Sequence, residues 1–204
     1  MGRPLALDLY AGTGGGTAAF LDRGWQVVRV DLARSSAADV IADVRALPIA
    51  ARPDFLWASP PCTEFSDANA RVDHTTKHPD LSLVVAVLVA VAQLRPRYWC
   101  LENVRGAIPF LGIPVQKVGP WCLWGYFPPI RVTFAAGTYR KAAGRQTAVA
   151  RAAIPYELSA AVCAAVESYR AVPSLLDLRP FRKYRHPAAR RLPAAAAAGL
   201  FDAT

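Results

Sequence analysis

Apolar positions along the chain gather into short runs, and each run stops on an acid, a glycine or a proline. Leu5-Ala6-Leu7-Asp8-Leu9-Tyr10 is one such run. Ala11-Gly12-Thr13-Gly14-Gly15-Gly16-Thr17 follows it, before apolar residues recur at helical spacing through Ala18, Phe20 and Leu21. This pattern predicts a strand, a glycine loop and a helix. Glycines there let the backbone approach a ligand closely, and a helix start offers N–H groups to an anionic group. A second strand, Trp25 to Val30, ends at Asp31, and a third run, Asp39-Val40-Ile41-Ala42, closes on Asp43. Phe55-Leu56-Trp57-Ala58 is apolar throughout, as in a strand covered on both faces, and leads into Ser59-Pro60-Pro61-Cys62. The stretch from Leu81 to Leu94 predicts a buried helix packed on the sheet. Tyr98-Trp99-Cys100-Leu101 predicts a fifth strand that ends at Glu102-Asn103-Val104. Strands alternating with helices give a doubly wound, mostly parallel α/β sheet, and such sheets bind ligands beyond the carboxyl ends of their strands. Gly119 to Pro129 is aromatic and turn-rich, reading either as a base-stacking surface or as core. A strand, Ile130 to Phe134, and a last helix, Tyr156 to about Tyr169, follow.

Length and charge narrow this picture. A chain of 204 residues buries enough surface to fold as one main domain, residues 1–170, without staples. Residues 171–204 read as a basic, Pro/Ala-rich tail. Residues 140–204 carry 11 Lys/Arg against 4 Asp/Glu and so hold +7 of the net +9. Charge placed in this way reads either as a solvated tail or as a contact for a polyanion such as nucleic acid. The longest apolar stretch, about fourteen residues, falls short of the ~18 that a membrane span needs. Cys62, Cys100, Cys122 and Cys163 form no CxxC pair and no His/Cys cluster, which points to a reducing compartment and no metal site. With no signal-peptide pattern at the start, the expected location is cytoplasmic, in a prokaryotic or phage-infected host cell.

Candidate chemistry concentrates at the predicted strand ends. Two prolines with fixed φ stiffen the chain just before Cys62, which suits a positioned nucleophile, although a buried cysteine after a turn fits the same pattern. Glu102 ends a strand on the same sheet edge, so a carboxyl and a thiol can face one site; the alternative is a solvated surface charge. Asp31 stands nineteen residues past Gly12, where an acid commonly accepts hydrogen bonds from ribose hydroxyls or merely caps a turn. The polar segment from Thr63 to Asp80 is long for a compact domain and suits a lid.

Four separated elements agree in order and spacing with one family. The chain resembles the DNA (cytosine-5) methyltransferases: DLYAGTGGG is similar to their first motif, SPPCTEFS to the catalytic Pro-Pro-Cys motif and LENV to the Glu-Asn-Val motif. FPPIRVTF is similar to the motif ending in an arginine-bearing strand. The resemblance implies a Rossmann-like methyltransferase fold that uses S-adenosyl-L-methionine to methylate C5 of cytosine in double-stranded DNA. By resemblance, Cys62 adds to C6 of a flipped-out base, Glu102 protonates N3, Asn103 supports the loop and Arg131 contacts the base or the loop. Tyr10 would lie near the adenine, Gly12 and Gly14 near the methionine part, Asp31 on the ribose and Asp43 on the adenine amino group, with Pro60 also at the cofactor. Ser66, Arg71 and Lys77 would approach the DNA.

The chain departs from the family's pattern in three places. Only about seventeen residues, Ala135 to Arg151, stand where relatives insert a target-recognition region. Ala152 replaces a usual asparagine and Pro129 a usual glutamine. These features resemble a compact phage-type member with short or partner-supplied specificity. Other readings are the same chemistry on RNA or with a modified donor, or a catalytically weak module that binds DNA or cofactor. Ala198-Gly199-Leu200-Phe201-Asp202 faintly resembles a sliding-clamp peptide. The oligomeric state is left open.

Overall fold

The computed structural model describes residues 2–34, 36–66, 79–134 and 153–170. The basic tail, the middle of the expected lid with Arg71 and Lys77, and the segment around Ala152 lie outside the described residues. Among the described residues seven strands form one sheet: β1 (Leu5–Leu9), β2 (Gln26–Asp31), β3 (Val40–Ile41), β4 (Phe55–Ala58), β5 (Tyr98–Asn103), β6 (Gln116–Val118) and β7 (Trp121–Tyr126). The helices are α1 (Ala18–Asp22), α2 (Ser82–Leu94), α3 (Ile108–Leu111) and α4 (Tyr156–Arg170), with 3-10 turns at Gly15–Thr17, Val44–Ala46 and Arg105–Ala107.

Strand order is β3-β2-β1-β4-β5-β7-β6. β1 pairs in parallel with both β2 and β4, and β4 pairs in parallel with β5. The chain winds outward from β1 through β2 to β3, then returns to the other side of β1 and winds through β4 to β5. The reversal between β1 and β4 opens a crevice at the carboxyl edge, because the loops leaving these two strands diverge over opposite faces.

The two-residue period of the strands sorts their side chains into two cores. Leu7, Leu9, Leu56, Ala58 and Leu101 point to the face covered by α2. Ala6, Phe55, Trp57, Cys100 and Leu123 point to the opposite face, where Phe20 of α1 and Leu158, Val162 and Val166 of α4 cover them. Phe20 stacks on Phe55 at 4.8 Å between ring centres and meets Trp25 edge-on at 5.0 Å. Asp8 shares the Trp57 face, since Asp8 and Trp57 are register partners.

Three expectations change. The run from Ile130 to Phe134 is not a strand. Pro128 and Pro129 lack N–H donors, and the Ile130 N–H and carbonyl are instead engaged by the Gln116 side chain, at 3.1 and 2.7 Å. The aromatic segment before it supplies the missed strand β7, which pairs antiparallel with β5 and forms a hairpin with β6 across Gly119-Pro120. The helix α2 is buried on one side only. Val84, Val87 and Ala90 are buried, while Val85, Leu88 and Val89 are each about half exposed. Among the described residues no helix is long and apolar enough to cross a membrane.

Candidate active site

A cleft of about 560 Å³ fills the crevice between β1 and β4. Its walls come from the loop after β1 (Tyr10 to Gly16), the ends of β2 and β3 (Asp31, Asp43), the segment after β4 (Ser59, Pro61, Cys62) and Leu83 and Ile154. The volume falls within the ~300–1,000 Å³ of ligand sites for small molecules and cofactors.

Local backbone geometry shapes the floor. Gly12 takes φ +52, a left-handed conformation natural for glycine, and donates its N–H to the Asp31 carboxylate at 2.8 Å. The other Asp31 oxygen accepts from the Ala33 N–H at 2.8 Å. Each carboxylate oxygen keeps a further lone pair with which to accept from a donor in the cleft. Tyr10 itself sits at φ +58, a conformation that costs an ordinary side chain about 1–2 kcal/mol. Its hydroxyl donates to the Leu83 carbonyl at 3.1 Å, which anchors the ring across the cleft to α2. Burial, with the nearby Asp43 charge, pushes the Tyr10 hydroxyl up to about 12. Asp43 caps the next 3-10 turn and is held down to about 2 by hydrogen bonds from Arg45, the closest contact being 2.6 Å. Gly16 has a different reason to be glycine, since a Cβ there would overlap the Trp57 indole.

Asp8 is a site residue that sequence reading missed. It is 1% exposed, lines the base of the cleft and accepts a 2.7 Å hydrogen bond from the Thr17 hydroxyl. Arg29 in turn approaches Thr17 at 3.4 Å and the Gly14 carbonyl at 3.3 Å. Burial raises the Asp8 carboxyl to about 7 against these opposing contacts. Its signal was an acid inside an otherwise apolar run. Ser159 of α4 was also missed: it donates to the Gly16 carbonyl and accepts from the Ala19 N–H, so the start of α1 uses that donor within the protein itself.

The sheet edge beside the cleft thiol is built from β4 and β5. Ala58 is the register partner of Leu101, so the next pair along is Ser59 and Glu102. Glu102 is 8% exposed and stands one side chain behind the cleft wall, hydrogen-bonded to Ser59, which lines the cleft. Burial raises the Glu102 carboxyl to about 7, and the Ser59 hydrogen bond works against that rise. The Asn103 amide donates to the Pro60 carbonyl at 3.0 Å while its oxygen accepts from the Val104 N–H at 2.9 Å. The end of β5 thus grips the Pro-Pro-Cys segment. Beyond Cys62, the Phe65 N–H closes a turn on the Cys62 carbonyl at 3.0 Å, and the buried Phe65 ring meets Phe110 of α3 at 6.0 Å.

Of the expected site residues, the cleft brings together Tyr10, Gly12, Asp31, Asp43 and Cys62. Gly14, Pro60, Ser66, Glu102 and Asn103 stand outside its lining, with Pro61 in place of Pro60. Arg131 is exposed in an irregular segment and is not among the residues that line the cleft. Among the described residues no group of His, Cys, Asp or Glu is arranged to hold a metal.

A doubly wound sheet with an acidic cleft and a thiol at its switch point defines an α/β protein with a ligand-sized crevice at the carboxyl edge of its strands. Its family follows from the sequence in that fold: residues 6–110 match the family model for C-5 cytosine-specific DNA methylase, and the chain belongs to that family. It is 37% identical over 109 residues to DNA (cytosine-5)-methyltransferase 1 of Gallus gallus, covering 51% of this chain and 7% of that protein. The Rattus norvegicus protein of the same name is also 37% identical over 109 residues, with 51% and 6% covered. The chain therefore spans a small fraction of the length of these relatives. A solved structure of the Entamoeba histolytica methyltransferase EhMeth aligns with TM-score 0.38 and 11% identity, over 54% of this chain and 41% of that one.

Proposed function

We propose that this chain transfers a methyl group from S-adenosyl-L-methionine to C5 of cytosine in duplex DNA, through an adduct of Cys62 at C6. The observation that carries this reading is the continuity of one cleft from the acids at the ends of β2 and β3 to the thiol after β4. The residues present suit the cofactor. Tyr10 offers an aromatic face, Asp31 lone pairs for ribose hydroxyls, Asp43 an acceptor for an exocyclic amine, and Gly12 a backbone surface without a side chain. When bound, S-adenosyl-L-methionine supplies an electrophilic methyl group on a sulfonium.

Cytosine C5 is a weak nucleophile until C6 is attacked. The Cys62 thiolate forms a bond to C6, the electron pair moves toward N3, and Glu102 delivers a proton there. A carboxyl raised to about 7 by burial holds that proton near neutral pH. Asn103 keeps the Pro60-Pro61-Cys62 segment fixed against β5 during the attack. Once C5 carries the methyl group, water takes the C5 proton and N3 returns its proton to the Glu102 carboxylate, so the C6–S bond breaks, the thiolate leaves and the ring is restored. A base stacked in a duplex hides the ring face that the thiolate must reach, so flipping precedes the chemistry. Arg131, Gly14, Pro60 and Ser66, together with Arg71 and Lys77, are assigned supporting roles at the DNA or cofactor by family resemblance.

The test is transfer of radiolabelled methyl to unmethylated duplex DNA by wild type and Cys62→Ala, with nucleoside analysis of the product. Label in 5-methylcytosine that vanishes in the variant is expected; label in another nucleoside, or transfer that survives loss of the thiol, overturns the mechanism.

A further inference from the structure

We propose that Ser59, held in place by Trp57, is the positioning residue for Glu102. The Trp57 indole N–H donates to the Ser59 oxygen at 2.8 Å. An indole nitrogen donates only, so this contact occupies the hydroxyl as an acceptor and leaves its single proton for another partner. The parallel register of β4 and β5 sets Ser59 beside Glu102, and the two side chains are hydrogen-bonded. With Glu102 ionised, the direction of the chain follows: Trp57 donates to Ser59, and Ser59 donates to the Glu102 carboxylate. Trp57 is itself buried, 1% exposed, and packed against Gly16, where even a methyl group would not fit.

This arrangement does two things. It aims the carboxyl at the cleft wall that Ser59 lines, and it favours the ionised form, so Glu102 can return to a carboxylate after giving up its proton. The titratable groups around the carboxyl are Cys100 on its own strand and Cys122 on β7, both of which feel its charge, while Lys117 of β6 and Arg105 after β5 act on Cys122. Burial raises both thiols, so they stay neutral near pH 7. Across β4 the partner is Ser59. The inference rests on the proposed role of Glu102 in protonating cytosine, and its structural half can be measured without turnover.

The experiment compares wild type, Ser59→Ala and Ser59→Thr. Carboxyl titration is followed by carbon-13 NMR of glutamate-labelled protein without DNA, the Glu102 signal being identified by its loss in Glu102→Gln. Removing a donor to a charged acceptor moves the Ser59→Ala midpoint upward by roughly one pH unit, while Ser59→Thr keeps a hydroxyl and stays near wild type. The alkaline limb of the methyl-transfer pH profile moves the same way in Ser59→Ala and stays in place in Ser59→Thr. A Glu102 midpoint equal in all three proteins overturns the proposal, as does a shift shared by the threonine variant. A wild type that methylates no cytosine overturns the assigned reaction instead, and the NMR comparison still decides whether Ser59 governs Glu102.

Discussion

Asp8 and Glu102 are carboxyls that the fold keeps out of water, and burial raises them from 3.8 and 4.5 to about 7. The folded chain holds protons that the unfolded chain has already released over that interval. Their contribution to stability is therefore greatest below about pH 4 and declines as pH rises toward 7, where each group must ionise in place. Replacing Asp8 with Asn removes one of the two titrations. The fall in Tm between pH 4 and 7 is expected to flatten in Asp8→Asn, as measured by thermal melts across that range, and an unchanged slope would refute the assignment. Glu102→Gln keeps the shape but has no acidic proton to give. Methyl transfer should drop by about two orders of magnitude or more, the usual weight of a general acid, with cofactor binding intact by calorimetry.

Among the elements, the turn after β5 matters most to the site. Gly106 lies so close to the Phe65 carbonyl that a Cβ would overlap it, and Phe65 is the residue that anchors the Cys62 turn from below. Gly106→Ala is expected to push the Cys62 turn outward, lower methyl transfer at least tenfold and cost about 1–3 kcal/mol, as overpacked sites do. Chemical denaturation beside the transfer assay separates the two effects; full activity would show that the turn yields without disturbing the thiol. The one-sided burial of α2 gives a second comparison. Val87→Ala removes fully buried methyl groups and should cost about 2 kcal/mol. Leu88→Ala trims a side chain 48% exposed and should stay within about 0.5 kcal/mol. Equal costs would mean that α2 is covered on both sides in solution.

For the whole molecule, charge and cleft lie in different parts of the chain. Residues 171–204 contain Arg179, Arg182, Lys183, Arg185, Arg190 and Arg191, while the cleft carries the acids Asp8, Asp31 and Asp43. Duplex binding should weaken steeply with salt, and removal of residues 171–204 should reduce the slope of log affinity against log salt by about 0.9 for each phosphate that the tail neutralises. Fluorescence anisotropy at several salt concentrations measures both slopes. Identical slopes with and without the tail would place the phosphate-binding cations elsewhere.

By itself the sequence determined the parallel strands and the order of chemistry along them. Apolar runs such as Phe55 to Ala58 have one stable home, between two covered faces, and the residues that end them must come out at one edge. The positions of Cys62, Glu102, Asp31 and Asp43 at or just past the ends of these strands were legible for that reason. The sequence pattern did not separate the aromatic strand Trp121–Tyr126 from a turn-rich loop, because its pairing with β5 is long-range and prolines crowd its end. It also did not reveal Asp8, Ser59 or Ser159 as parts of the site, since a lone polar residue in a run gains its role only from what packs against it. Tertiary structure decided those roles. The reversal of winding between β1 and β4 opens the cleft, the register of β4 on β5 sets Ser59 beside Glu102, and burial in that packed edge moves the acid toward neutrality.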